Sequence, residues 1–133
     1  MKEKMIRSVA WADLAVTLPF ALPFVAEAVI ALIYFLDQRL GFGTPSTLFE
    51  MGPLAMMFVH IMGVLGVVWA LSRLCMPSPL LARIDATARL VVAALIVYAI
   101  AQGTTPVLWV FVLTEIGGCI GQVLTSNRKG PST

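Results

Sequence analysis

Charge is scarce along this chain, and so are the residues on which soluble chemistry usually relies. Nine Lys and Arg and seven Asp and Glu make up 12% of 133 residues, against roughly a quarter in an ordinary globular domain. There is one histidine, His60, and there are two cysteines, Cys75 and Cys119. That rules out a disulfide framework, a zinc ribbon or a CxxC redox pair, and both cysteines read as apolar fillers. The net charge of +2 is not gathered into one patch, which argues against nucleic acid as a partner. Polar faces at helical spacing are missing too, and a soluble domain of this size could not fold without them.

What remains is apolar: 59% of the residues, with a mean hydropathy of +0.94. The bilayer is therefore the expected solvent. The spacing of the apolar runs predicts an all-α, single-domain integral membrane bundle of four transmembrane helices over about 9–36, 48–74, 80–101 and 105–124. The run after the basic start MKEKMIRS carries Asp13 and passes Glu27 without a small-residue cleavage signal, so it reads as a retained span, not a signal peptide. At about 1.5 Å per residue it is longer than a hydrocarbon core of about 30 Å requires, and Pro19 and Pro23 supply the cause of a kink. A polar loop follows from Asp37, and Thr47 with Glu50 makes a capping-box pattern opening the second span. Pro77 and Pro79 end that span, and Gln102-Gly103-Thr104 is short enough to make the third and fourth antiparallel neighbours.

Lys2, Lys4, Arg7, Arg73, Arg83, Arg89, Arg128 and Lys129 fall toward one side of such a bundle, and only Arg39 falls toward the other. By the positive-inside rule both termini are cytoplasmic, which points to a bacterial inner membrane. Trp11, Trp69 and Trp109 sit near expected interfaces. Gly117-x-x-x-Gly121 with Gly118 in the fourth span, and Gly63 and Gly66 in the second, are small-residue surfaces for contact between these two spans or with another copy of the chain.

An ionisable group in hydrocarbon costs about 2.5–3.5 kcal/mol, so the few present should face inward and find partners. Counting along the spans brings Asp13, Arg73, Asp85 and Arg89 together toward the cytoplasmic side, with Asp85 and Arg89 four apart on one helical face. This cluster of two acids and two bases either locks three spans together or, with Trp69, holds a ligand. Near the midplane His60 and Glu115 have no basic neighbour at that depth but each other, and are expected to pair. Such a pair can share a proton, act as acid and base on an apolar substrate, or hold an organic cation. Glu27 and Glu50 lie on the outer side, giving it an acidic lining with Arg39 as its only base. Met56 and Met57 beside His60 offer soft donors, but a single histidine leaves no bis-histidine option, and neither metal nor cofactor is expected.

Three functions fit this pattern. The preferred one is binding or transport of protons or of a small lipophilic or cationic ligand, through Glu115, His60, Glu50 and Glu27. The second is a membrane-embedded isomerase, cyclase or hydrolase acting on a lipid-soluble substrate, with Glu115 or Asp13 as acid and His60 as base. The third is a non-catalytic subunit or assembly factor of a larger membrane complex.

Overall fold

The computed structural model describes residues 2–127, and among them all regular structure is helical. Met1 and the last six residues, with Arg128 and Lys129, lie outside the described residues. Five α-helices follow in order: α1 (Lys2–Ala21), α2 (Val25–Arg39), α3 (Pro53–Cys75), α4 (Pro79–Ala101) and α5 (Trp109–Asn127), with short 3-10 turns at Ser46–Leu48 and Pro106–Leu108.

The first expected span is not one helix. It breaks at Leu22-Pro23-Phe24, and α2 leaves α1 at 101°. Pro19 sits inside α1 without breaking it, whereas Pro23 both lacks an N–H and pushes Leu22 out of the helical region. Phe24 then takes φ 68°, which a residue with a side chain adopts only at some cost, and turns its ring outward. The expected capping box at Thr47 and Glu50 also does not open a helix. Thr47 lies in a 3-10 turn, and α3 starts later, at Pro53, where the ring pre-sets the helical φ after Gly52. At α4 the side chain of Ser78 accepts from Leu80 N, again with proline in the first turn.

Helices α1 and α3 pack as an antiparallel pair, and so do α4 and α5; α1 also touches α5. Glycines set the closest approaches. Gly63 stands against the backbone of Phe20 and Ala21, Gly66 against the side chain of Thr17, and Gly118 against the guanidinium of Arg89. The small residues of α3 therefore serve α1, not the last helix, and on α5 Gly117 faces open space.

This register has a consequence for shape. Ala21, the end of α1, is level with Gly63, ten residues into α3, so α1 stops about 15 Å short of the start of α3 at 1.5 Å per residue. Helix α2 turns across that gap toward the 3-10 turn before α5, where Asp37 is clasped. Its fully buried carboxylate accepts from Thr44 N at 2.9 Å, from the Thr44 hydroxyl at 2.6 Å, and from the hydroxyl of Thr105. Asp37 is thus not a loop residue, as its position after the apolar run suggested, but the tie between α2 and the α4–α5 connection.

Helices α3, α4 and the segment Pro106–Leu124 are each long and apolar enough to cross a membrane; α1 and α2 are so only taken together, as a bent pair. Leu54, Leu65, Leu90, Leu95 and Leu113 are each more than half exposed. An outer surface of this kind suits acyl chains and not water.

Candidate functional site

Besides the Asp37 clasp, two polar regions interrupt the apolar interior among the described residues. The first joins four helices around Asp85. Its Oδ1 accepts the indole N–H of Trp69 at 2.7 Å, and its Oδ2 accepts from Arg73 at 2.8 Å, Arg89 at 2.8 Å and Gln122 at 2.9 Å. Asp13 on α1 accepts from both guanidiniums, and Arg89 reaches on to Glu115 on α5 at 3.2 Å. Arg73 is almost wholly buried, with its guanidinium 5.8 Å from the Trp69 ring centre. The expected four-residue cluster therefore forms, and it is larger than expected.

Three of its members differ from the sequence reading. Trp69 is not an interfacial anchor but a donor to Asp85. Glu115 belongs here and not beside His60. Gln122, fully buried, was overlooked, although a lone amide in an apolar helix, seven residues after Glu115 and so on the same face, is a legible signal. The count is now three acids against two bases. Asp85 receives four donors and Asp13 two guanidiniums, whereas among the described residues Glu115 pairs with Arg89 alone. Arg73 Nε and Gln122 Oε1 are buried without a hydrogen-bond partner among the described residues. Each of the three carboxylates meets at least one guanidinium, one acid is in excess, and the contacts join α1, α3, α4 and α5 to one another.

The second region lies at the break between α1 and α2. Here His60 and Glu115 do not meet, because α3 packs on α1, while the Glu115 face of α5 turns to α4. Instead His60 Nδ1 lies 2.9 Å from the carbonyl of Phe20. A carbonyl can only accept, so Nδ1 carries the hydrogen and caps one of the carbonyls that the end of α1 leaves without an intrahelical partner. The other ring nitrogen, Nε2, faces Glu27 Oε1 at 3.9 Å, near but beyond hydrogen-bond reach. The acid–base pair of the second functional hypothesis is therefore split between the two regions, and Asp13, its alternative acid, is held by two arginines.

Two cavities open beside this break. The larger, about 520 Å³, is bounded by Thr17 and Phe20 of α1, Ile30 and Ile33 of α2, Val59 of α3 and Phe111 of α5. Apart from the Thr17 hydroxyl, which donates to Asp13 O, its named walls are apolar. Phe58 and Met62, 57% and 65% exposed, form its rim, so it opens on the apolar outer surface. The smaller, about 270 Å³, shares Ile30 and Met51 with it and is lined also by Glu27, Tyr34, Ser46 and Glu50. Glu50 has no basic partner within 4 Å among the described residues, and Arg39 is stacked on Phe35, 5.1 Å from its ring centre. No set of three or more His, Cys, Asp or Glu able to hold a metal occurs among the described residues.

Compared with family models, with curated proteins and with solved structures, the chain has no match.

Proposed function

We propose that this chain is a four-span protein of the bacterial inner membrane, with both termini cytoplasmic, which binds a small lipophilic ligand in the cavity between α1, α2, α3 and α5. In this reading α1 and α2 form one broken span. The basic residues at 2–7, 73, 83 and 89 favour the stated orientation. The Asp85 cluster then holds the cytoplasmic half rigid, and the broken span leaves the outer half open.

The observation that carries the reading is the 520 Å³ cavity with its rim at Phe58 and Met62. That volume lies within the roughly 300–1,000 Å³ of small-molecule sites, and apolar walls with a few polar groups at one end are their usual composition. A ligand would enter sideways from the acyl chains, with no aqueous path required.

The test is binding of the neutral fluorophore Nile red to the full chain in phosphatidylcholine nanodiscs, against empty discs. Wild type should show saturable binding. The double substitution Ile33→Trp, Val59→Trp, which fills the chamber from two sides, should weaken it at least about tenfold, or about 1.4 kcal/mol. The circular dichroism of the variant should be unchanged. Equal affinity in the two proteins rejects the cavity as the site.

A further inference from the structure

Resting on that reading, we infer that the ligand is a lipophilic cation. Its apolar body occupies the larger chamber, and its charged head, a protonated amine or a quaternary centre, sits in the smaller one between Glu27 and Glu50. The two chambers adjoin along Ile30 and Met51, which line both, so a molecule that occupies the two must pass between these side chains.

The charges around the smaller chamber are all of one kind. Glu27 and Glu50 contribute two carboxylates; the nearest base is His60, 3.9 Å from Glu27, and Glu50 has none within 4 Å among the described residues. Arg39, the base that the sequence offered to this side, stacks on Phe35 and is not among the residues that line the chamber. Tyr34 and Phe49 meet edge to face at the smaller chamber, with ring centres 5.0 Å apart, and their ring faces are a further surface for a cation. An anionic head would meet two like charges there, and a neutral one would leave both carboxylates uncompensated at the edge of hydrocarbon. A cation also explains why the polar end is the narrower one: its head needs little room, and its bulk lies in the apolar part.

The test is displacement of Nile red from the full chain in phosphatidylcholine nanodiscs by decyltrimethylphosphonium, a permanent lipophilic cation with a compact head on an apolar chain, whose charge does not depend on pH. Wild type should release the dye at saturation. Glu50→Gln, in an exposed segment outside every helix, should raise the concentration needed at least about tenfold, and Glu27→Gln should do the same, while both variants bind Nile red as wild type does. Were the phosphonium to displace dye equally well from wild type and both variants, or from none, the cationic identity would be wrong while the cavity reading stood. Nile red binding insensitive to the Ile33→Trp, Val59→Trp change would remove both. A co-purifying lipid that the phosphonium cannot dislodge would likewise overturn the inference, with an acyl chain as the occupant.

Discussion

Replacing Arg89 with alanine is expected to lower the unfolding free energy by about 3–5 kcal/mol, the range found when one partner of a buried ion pair is removed. The magnitude follows from what the side chain holds. Its guanidinium bonds to Asp13 on α1, Asp85 on α4 and Glu115 on α5, and it is 7% exposed. Without it, among the described residues Glu115 has no ion-pair partner and Asp13 keeps only Arg73. Two carboxylates are then left short of positive charge in an apolar bundle, and desolvated charge costs more than a lost hydrogen bond. Arg89→Lys should recover only part of the loss, because one ammonium cannot present the fork that spans three carboxylates. Arg83 on the same helix is exposed, and its replacement by alanine should change stability by no more than about 0.5 kcal/mol. Denaturant titration of the detergent-solubilised chain, followed by circular dichroism, measures all three. A loss for Arg89→Ala as small as that for Arg83→Ala would mean that the cluster does not form.

The second large effect needs only one methyl group. A Cβ at Gly63 would lie 2.3 Å from Ala21 N and 2.5 Å from the carbonyl carbon of Phe20, and both are backbone atoms that cannot rotate away. Gly63→Ala must therefore push the end of α1 off α3, at a cost of about 1–3 kcal/mol for overpacking. The shift also strains the bond between His60 and the Phe20 carbonyl and moves one wall of the larger cavity. Gly117→Ala is the control, since nothing lies within 4 Å of its added methyl. There the better helix propensity of alanine should leave stability equal or higher by up to about 1 kcal/mol. Two identical substitutions in two apolar helices thus differ in sign, and the same titration reads both. Losses of similar size at the two positions would show that α1 and α3 are not in this register.

Much of the fold follows from the residues alone, because hydrocarbon leaves few options. Asp85 and Arg89 share a face by spacing, and Asp13 and Arg73 could be matched to them by depth, so the core of the cluster was legible. Depth was also the limit. Counting residues from a helix end gives height in the bilayer but not the direction in which a side chain points. For that reason His60 and Glu115 seemed to be partners, although one turns to α1 and the other to α4. Pro23 announced a kink, but the 101° turn depends also on the positive φ at Phe24 and on the clasp at Asp37, whose partner Thr105 is 68 residues away. No local pattern joins those two. The cavities arise from that same turn, since α2 crosses the space that α1 leaves empty, and so their place could not be read before the turn was known.

The central claim is that the few charges of this chain meet inside an apolar bundle. A double-mutant cycle between Asp13→Asn and Arg73→Gln tests it most directly, because these residues lie 60 apart in sequence, on α1 and α3. Stability should show a coupling of about 1 kcal/mol or more between the two changes, as for residues in direct contact. Strict additivity, within about 0.3–0.5 kcal/mol, would place them apart and contradict the account.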